Sequence, residues 1–150
     1  MELNTGKDQK VFHHKVEIQV RFVDIDKLGH VNNAVHLSYY ETARVHYFHS
    51  LFGKNINWEK TGMILAKSEI EYLSPVHLED ELIAYTRIAK LGNKSFEIEN
   101  VLKRQAGNRE EICSFGKSVI VCFDYEQKTS ISIPDEWRKK ISEFENLPKE

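Results

Sequence analysis

Residues 20–44 read VRFVDIDKLGHVNNAVHLSYYETAR and join the end of a strand to the start of a long helix. The stretch brings a carboxylate, an imidazole and two carboxamides close together in sequence, at Asp26, His30, Asn32 and Asn33. A helix start attracts anions and can polarise a carbonyl, because its first N–H groups lack partners and its dipole is positive there. The stretch therefore predicts a small site that handles acyl groups.

The elements on either side of this corner follow from periodicity. Val16, Ile18, Val20 and Phe22 alternate with polar residues, which predicts a strand over residues 14–23 with one buried face. Apolar residues at helical spacing predict a helix over residues 34–52, with Asn32 or Asn33 as its N-cap and Gly53 as its stop. Its buried stripe is expected to contain Leu37, Tyr40, Ala43, Arg44, Tyr47, Phe48 and Leu51.

The rest of the chain is predicted to be four strands and a short helix. The strands are expected near residues 64–72, 82–88, 96–102 and 110–125, and the last is apolar on both faces, which favours an interior place in the sheet. Pro134 opens the short helix at its first position, with Trp137, Ile141 and Phe144 on one face. This order predicts an α+β fold: one domain over residues 14–147, in which an antiparallel sheet covers a long helix, preceded by a flexible tail at 1–13.

Composition excludes several classes of protein. The 150 residues are 41% apolar and 29% charged, with a net charge of −2, and they contain no basic stripe, so a nucleic-acid partner is not expected. No stretch is long and apolar enough for a membrane span. Cys113 and Cys122 lie nine residues apart in one predicted strand, on opposite faces, so they should not pair. Free thiols favour a reducing compartment, and we expect the cytoplasm.

The candidate site residues also have simpler interpretations. Asp26 suits a turn, yet it precedes the predicted helix by eight residues and the asparagines already supply the cap, which favours a chemical role. Asp24 is more readily structural, as a partner of Arg21, Arg44 or loop amides. His30 is either a surface histidine or a partner of Asp26. A metal ion held by Asp26 and His30 is not expected, because the sequence has no HExxH motif or comparable ligand spacing.

The helix start offers a second type of group. Asn33 is a candidate cap, and the backbone N–H groups of Asn33 and Ala34 are expected to point outward without partners, where they can hold an oxyanion. The sequence has no GxSxG elbow, P-loop or dinucleotide fingerprint. Both cysteines lack an activating neighbour in sequence, so a nucleophilic serine or cysteine hydrolase is not expected.

The stretch resembles the D-x-D-x-x-G-H-V-N-N-x-x-Y-x-x-Y-x-E-x-x-R segment of hotdog-fold acyl thioesterases, the 4-hydroxybenzoyl-CoA thioesterase-like group. The later segments YLSP, LEDELIAYTRI and GKSVIVCFD are similar too, so the resemblance covers residues 14–135. It implies a hotdog fold, in which a curved antiparallel sheet of about five strands wraps a long central helix. It implies homodimers with a continuous sheet, often paired as homotetramers, with active sites at the subunit interface. One departure is His36, where the family often has Tyr, and it leaves the acyl preference open.

The resemblance also implies an activity, which is hydrolysis of acyl-CoA or acyl carrier protein (ACP) thioesters with no metal and no bound cofactor. Asp26 matches the family's catalytic carboxylate, as general base or nucleophile, and the amide at Asn33 matches the group that polarises the thioester carbonyl. His30 and Asn33 match polar positions of the plant acyl-ACP thioesterases, while other branches place a His at the position of Asn33. His30 is expected to orient Asp26 or the water, and Asn32, Asn33 and Ala34 are expected to contact the substrate or hold the loop.

Three alternatives remain open. One is a hotdog dehydratase or hydratase, although the GHVNN segment argues against it. The others are a non-catalytic module that binds acyl-CoA or acyl-ACP, and a structural dimerisation domain. The candidate partners of the coenzyme A phosphates are basic strand residues that the sequence does not rank: Lys67, Arg87, Lys90, Lys94, Lys103, Arg104 and Lys117.

Overall fold

A 20-residue helix lies against one face of a curved antiparallel sheet in the computed structural model, which describes residues 2–4 and 9–148. The strands are β1 (Glu2–Asn4), β2 (Gln9–Val11), β3 (His14–Ile18), β4 (Gly62–Tyr72), β5 (Leu82–Leu91), β6 (Ser95–Ala106), β7 (Arg109–Asp124) and β8 (Thr129–Ser130). The helices are α1 (Asn33–Phe52) and α2 (Asp135–Glu145), and a short 3-10 helix covers Phe22–Asp24.

The main sheet has the order β3-β5-β6-β7-β4, and β8 adds a short pairing to β7. All of its pairings are antiparallel, and β5, β6 and β7 follow one another through tight turns. The interior place predicted for the strand at 110–125 is confirmed, since β7 lies between β6 and β4. The predicted α+β fold, with five main strands around one long helix and a short C-terminal helix, is confirmed as well.

Helix α1 has the bounds that its caps predict. The Asn32 Oδ1 atom accepts the Ala34 N–H at 2.9 Å, so Asn32 and not Asn33 is the N-cap. Gly53 ends the helix with a φ of +80°, and its N–H donates to the His49 carbonyl at 3.0 Å.

The predicted buried stripe of α1 is confirmed at Tyr40, Ala43, Arg44, Tyr47 and Phe48 and differs near the start of the helix. Leu37 is 39% exposed, whereas His36 and Tyr39 are buried beside the expected Tyr40, Ala43 and Tyr47. The sheet approaches this face closely at Gly116, where a Cβ atom would lie 2.6 Å from the Tyr40 ring. Only glycine fits there, which explains a glycine in the middle of a strand.

The predicted first strand ends early. β3 stops at Ile18, which pairs with Leu82 at the start of β5, so no further partner strand continues the ladder. The chain then enters the 3-10 helix, and Phe22 is 84% exposed. The prediction that Phe22 shares the buried face of the strand is therefore wrong.

The two cysteines face the same side of the sheet, so the prediction of opposite faces is wrong. Leu102 pairs with Ser114 and Lys103 with Ile112, which leaves Cys113 as an extra residue in β7. Such a bulge shifts the alternation by one residue. Cys113 and Cys122 both pack under α1, buried and unpaired with each other, as free thiols.

Helix α2 closes the C-terminal end of α1. Pro134 is its N-cap rather than its first residue, and Trp137 and Ile141 are buried, as the helical spacing predicts. The Glu145 carboxylate accepts the Tyr47 hydroxyl at 2.6 Å and the Ile88 N–H at 3.0 Å. These bonds tie α2 to both α1 and β5.

The segment predicted as a flexible tail is described at residues 2–4 and 9–13. β1 pairs with β2, Lys10 forms an ion pair with Glu99 at 2.8 Å, and Phe12 is buried against Tyr85. Residues 1 and 5–8 lie outside the described residues, and the flexibility of the tail stays a prediction. In the described chain, neither helix has the length and hydropathy that crossing a bilayer requires.

Candidate active site

The corner between β3 and α1 is a miniature hairpin. Ile25 and Val31 form an isolated antiparallel bridge, and the Asp26 N–H donates to the His30 carbonyl at 3.0 Å. The Gly29 N–H closes the turn on the Asp26 carbonyl at 3.0 Å, and Gly29 has a φ of +87°, which favours glycine. The hairpin therefore fixes Asp26 and His30 at adjoining backbone positions just ahead of the helix.

The carboxylate of Asp26 is half-buried and only partly bonded. Its Oδ1 atom accepts the Leu28 N–H at 2.8 Å, and its Oδ2 atom accepts the Asn32 Nδ2 amide at 3.4 Å. A carboxylate has about four acceptor positions, so Oδ2 keeps capacity for the proton of a water molecule. Asn32 thus connects Asp26 to the helix start, because its Oδ1 atom caps Ala34 at the same time.

The helix start presents one unpaired donor rather than two. The Ala34 N–H donates to Asn32 Oδ1 and the Val35 N–H to the Asn32 carbonyl, each at 2.9 Å. The expectation of an unpaired N–H at Ala34 is therefore wrong, since the cap occupies it. Within residues 9–148 the Asn33 N–H has no acceptor. That donor, at the positive end of α1, is the one available to an acyl carbonyl.

Asp24 stabilises this corner through its side-chain and backbone contacts, in agreement with the structural role that the sequence favoured for it. Its carboxylate is 1% exposed and binds Arg21 at 2.8 Å and the Tyr39 hydroxyl at 2.7 Å. Burial alone would raise the pKa of the Asp24 carboxyl, but the hydrogen bonds from Arg21 and Tyr39 outweigh it and lower that pKa. The Asp24 carbonyl also accepts the Asn32 N–H at 2.9 Å, so Asp24 holds the cap residue in place.

Of the two roles expected of His30, orienting Asp26 is not seen in the described residues, and orienting the water stays a prediction. Its ring is half-buried and lies 6.4 Å from the His77 ring, between centroids. Across the described ranges, the polar contacts of the Asp26 carboxylate are with Leu28 and Asn32, and the predicted hydrogen bond from His30 is not formed. His30 instead lines a cavity.

This cavity, of about 250 Å³, opens beside the start of α1. Its polar lining includes His30, Asn33, His36, Tyr72 and Ser74, and Asp26 is not among the lining residues. The Tyr72 hydroxyl donates to the Asn33 carbonyl at 2.8 Å, and the His36 ring meets the Tyr72 ring edge-on at 5.1 Å. The sequence gives no signal for Tyr72, which alternates like any other strand residue.

The candidate nucleophiles of other hydrolase types are poorly suited to attack. Burial raises the pKa of the Cys113 and Cys122 thiols to about 11, so both stay protonated near neutral pH. The described residues contain no group of three His, Cys, Asp or Glu side chains placed to hold a metal ion. The absence of a metal and of a bound cofactor stays a prediction.

Most of the basic candidates for phosphate binding already have acidic partners. Arg87 binds Glu99 at 2.9 Å, Lys103 binds Glu110 at 3.0 Å, and Lys67, Lys90 and Arg104 are paired as well. Lys94 donates to Ser130 at 3.3 Å. Lys117 lies over the Phe115 ring and, within the described part of the chain, has no ion pair. The structure thus separates Lys94 and Lys117 from the other candidates.

Comparison with known proteins shows which family model the chain matches. Residues 20–141 match the model of the thioesterase-like superfamily. The chain is 28% identical over 145 residues to a chloroplastic acyl-acyl carrier protein thioesterase of Arabidopsis thaliana, covering 95% of this chain and 74% of that protein. It is also 28% identical over 125 residues to the uncharacterised protein YsmA of Bacillus subtilis, covering 83% of this chain and 82% of that one.

Solved structures share the fold. A thioesterase from Thermus thermophilus, complexed with coenzyme A and zinc, superposes with a TM-score of 0.79 at 33% identity, over 92% of this chain and 98% of that one. A variant of 4-hydroxybenzoyl-CoA thioesterase, complexed with 4-hydroxybenzoyl-CoA, has a TM-score of 0.78 at 16% identity, over 86% and 98% of the two chains. The hotdog fold implied by residues 14–135 is confirmed.

Proposed function

This chain belongs to the thioesterase-like superfamily, and on that premise we propose that it hydrolyses acyl-CoA thioesters to a free acid and coenzyme A. One observation carries the proposal. The Asn33 N–H, which has no acceptor within residues 9–148, is connected through Asn32 to a carboxylate with spare acceptor capacity, Asp26. An oxyanion donor and a base in one connected unit are what acyl transfer to water requires.

In the proposed mechanism, the thioester carbonyl oxygen accepts the Asn33 N–H. Negative charge that develops on this oxygen is stabilised by that donor and by the helix dipole, and one such donor contributes about 3 kcal/mol in comparable sites. Asp26 Oδ2 takes a proton from water as the water oxygen bonds to the carbonyl carbon. The C–S bond then breaks, and the thiolate of coenzyme A leaves and is protonated.

Asp26 also supports a nucleophilic route. In that route its carboxylate attacks the carbonyl, expels the thiolate and forms a mixed anhydride, which water then hydrolyses. A single turnover in ¹⁸O-labelled water detects the nucleophilic route when water opens the anhydride at the Asp26 carbon. Direct attack by water places the label in the first acid released, whereas an anhydride that water opens at the Asp26 carbon leaves the label in Asp26.

We propose roles for His30 and Ala34 from the positions that they occupy. We place His30 on the wall of the acyl cavity, where it contacts substrate, because it lines that cavity and makes no hydrogen bond to Asp26 in residues 9–148. Ala34 contributes to the site through the capped N–H that fixes Asn32. Asn32 is a positioning residue for both Asp26 and the helix start.

We propose that the working unit is a homodimer. β4 ends the main sheet, and its outer side is unpaired in the described chain. Near the site, Phe22, Val23 and Leu28 are 77–84% exposed, which is unusual for three apolar residues so close together. Pairing of β4 with its copy makes the sheet continuous, and a homotetramer then needs a second interface.

Arg44 supports the same assembly. It is 9% exposed, and no ion pair or hydrogen bond joins it to another residue within 9–148. Burial lowers the pKa of the Arg44 guanidinium, and the charge of Glu41 opposes this only in part. The Arg44 nitrogens are not among the polar atoms sealed from solvent, so they are open to an added acceptor, and a carboxylate of a second copy of the chain can supply one. Sedimentation that gives a monomer at micromolar concentration contradicts this proposal.

The acyl group of the substrate has two candidate carriers, coenzyme A and the acyl carrier protein. The plant relative is named an acyl-acyl carrier protein thioesterase, which favours testing acyl-ACP beside acyl-CoA. Two free, buried thiols fit a reducing compartment, and we propose the cytoplasm.

Free-thiol release across a panel of acyl-CoAs tests the proposal. The panel runs from acetyl to palmitoyl and includes benzoyl and phenylacetyl, and each acyl group is repeated on the carrier protein. Thiol release from at least one acyl-CoA is expected. Thiol release from acyl-ACP alone would make acyl-ACP the substrate in place of acyl-CoA. Hydration of crotonyl-CoA without thiol release favours the hydratase alternative. Binding of acyl-CoA or acyl-ACP without thiol release favours the non-catalytic module.

A further inference from the structure

We propose that His36 is a second catalytic hydrogen-bond donor, which acts beside the Asn33 N–H on the thioester carbonyl oxygen. The inference rests on the proposed thioesterase function and adds one side chain to its mechanism. Two convergent donors stabilise an oxyanion better than one, and removing one donor from such a pair lowers kcat by about 100-fold or more.

His36 is held in the core by a buried chain of hydroxyl groups. It is 3% exposed, and its Nδ1 atom lies 2.9 Å from the Ser114 hydroxyl oxygen. That oxygen lies 2.6 Å from the hydroxyl oxygen of Tyr40. Ser114 and Tyr40 are 0% and 1% exposed, so neither hydroxyl can use bulk water in place of these partners.

The direction of the protons in this chain follows from the need to pair each one. The Tyr40 hydroxyl has no other acceptor within residues 9–148, so it donates to Ser114. The Ser114 hydroxyl then donates to Nδ1 of His36, which is its remaining partner. The ring proton of neutral His36 is therefore on Nε2. Any other order leaves a buried hydroxyl proton without an acceptor, at a cost of about 1–3 kcal/mol.

We place the Nε2 atom of His36 on the cavity wall, on two observations. It has no hydrogen-bond partner in the described part of the chain, yet it is not among the polar atoms sealed from solvent without a partner. His36 and Asn33 both line the same cavity of about 250 Å³. They are three positions apart in α1, on one face of the helix.

Tyr72 holds the two donors in a fixed relation. Its hydroxyl donates to the Asn33 carbonyl at 2.8 Å, while its ring packs edge-on against His36 with 5.1 Å between centroids. We place the bound carbonyl oxygen in this cavity, where it accepts both the Asn33 N–H and the His36 Nε2–H. Such preorganisation is what makes an oxyanion site effective.

The charge state of His36 suits this role. Burial lowers the pKa of the imidazole, so the ring is neutral at neutral pH and Nε2–H is a neutral donor. The donor therefore stabilises developing charge without drawing the Asp26 carboxylate into an ion pair. The Ser114 and Tyr40 hydroxyls are positioning groups, since they act through His36.

Three substitutions at one position test the proposal. His36→Gln keeps an N–H near the place of Nε2, His36→Asn keeps an amide near Nδ1 only, and His36→Leu removes both. We expect kcat for acyl-CoA hydrolysis to fall about 100-fold in the Asn and Leu variants, with KM within about threefold of wild type. His36→Gln should recover at least about tenfold of that loss. His46→Leu, on the exposed side of the same helix, is the matched control and should behave as wild type.

A long-range ¹H–¹⁵N NMR spectrum of the wild-type protein tests the proton order independently of any variant's folding. The Nε2–H form is expected, and the Nδ1–H form overturns the inference. Wild-type kcat in His36→Leu also overturns it, as does a loss confined to acyl groups that carry their own hydroxyl or keto oxygen. Wild-type turnover with an unaffected Leu variant rejects only this inference, whereas a wild type that releases no thiol from acyl-CoA or acyl-ACP rejects the proposed function itself.

Discussion

The two ends of α1 are built differently. At the C-terminal end, the rings of Phe52 and Trp137 stack with 4.5 Å between centroids, and Tyr47 and Ile141 are 0% exposed. At the N-terminal end, a cavity of about 250 Å³ adjoins the helix, and the Asn33 N–H has no acceptor in the described chain. One end is closed by apolar packing, and the other is held by hydrogen bonds and left open.

This difference separates what stabilises the fold from what performs the chemistry. The packed end anchors the helix, because buried apolar area supplies most of the favourable free energy of folding. The open end retains unpaired and partly paired polar groups, a local imperfection that is typical of functional sites. The two ends should therefore respond in opposite ways to substitution, the first in stability and the second in activity.

The largest effect is expected from Asp26→Asn at the open end. Loss of the proton acceptor should lower kcat for thioester hydrolysis by about 1,000-fold, with the thermal unfolding midpoint nearly unchanged. Asp124→Asn is the matched control, since Asp124 Oδ1 also accepts a backbone N–H in an exposed turn, from Gln127 at 2.8 Å. Wild-type turnover by the Asp26 variant contradicts the assignment of the base.

Ile141→Ala at the packed end should have the converse effect. Ile141 is 0% exposed, and truncating such a residue typically lowers the free energy of unfolding by about 3 kcal/mol. Denaturant unfolding measures this loss, and kcat measured well below the unfolding transition should stay within about twofold of wild type. Lys139→Ala, on the exposed side of α2, is the control and should change stability little. A large loss of kcat in folded Ile141→Ala would show that the two ends are coupled.

Gly116→Ala changes a contact between the sheet and the middle of α1, between the two ends of the helix. A Cβ atom there would lie 2.6 Å from the Tyr40 ring, which is itself bonded to Ser114. We expect a loss of stability of about 2 kcal/mol from overpacking. A fall in kcat should accompany it, because Tyr40 and Ser114 orient His36. Unfolding and steady-state kinetics of the same preparation check both, and unchanged stability contradicts the close contact.

The smallest effect is a pH dependence at the packed end. Burial raises the pKa of the Glu145 carboxyl, and the hydrogen bonds from Tyr47 and Ile88 oppose this only in part. A group with a raised folded-state pKa contributes stability that is complete below its unfolded pKa and is lost as pH rises through the folded pKa.

Glu145→Gln tests this dependence, since the amide carbonyl keeps the acceptor and removes the charge. The unfolding midpoints of both proteins should be compared from about pH 4 to pH 8. The unfolding midpoint of the variant should rise relative to that of the wild type as the pH rises through the raised pKa of Glu145. A difference between the two midpoints that is constant with pH contradicts this account of Glu145.

The features that the sequence predicted are those set by local rules. The bounds of α1 follow from its cap at Asn32 and its stop at Gly53, and the strand spacing follows from alternation and turn residues. Phe22 departs from its pattern because β3 runs out of partner strand at Leu82, which depends on a residue distant in sequence. The faces of the cysteines depend on a bulge at Cys113, which alternation alone does not reveal.

Some of the contacts predicted at the corner between β3 and α1 are wrong. Asn32 occupies the Ala34 N–H and reaches Asp26, whereas His30 turns to the cavity. Whether a cap uses one amide or the next depends on side-chain geometry, which the residue types do not determine. The environment of His36 depends on Ser114, 78 positions away, and such a pairing requires the folded sheet.

The most direct test of the central claim is a crystal structure of Asp26→Asn with its best acyl-CoA substrate bound intact. We expect the thioester carbonyl oxygen to lie about 2.7–3.1 Å from the Asn33 nitrogen, with the carbonyl carbon facing residue 26. A thioester bound away from the start of α1, or with its carbonyl oxygen turned away from Asn33, contradicts the claim that the open end of this helix is the catalytic centre.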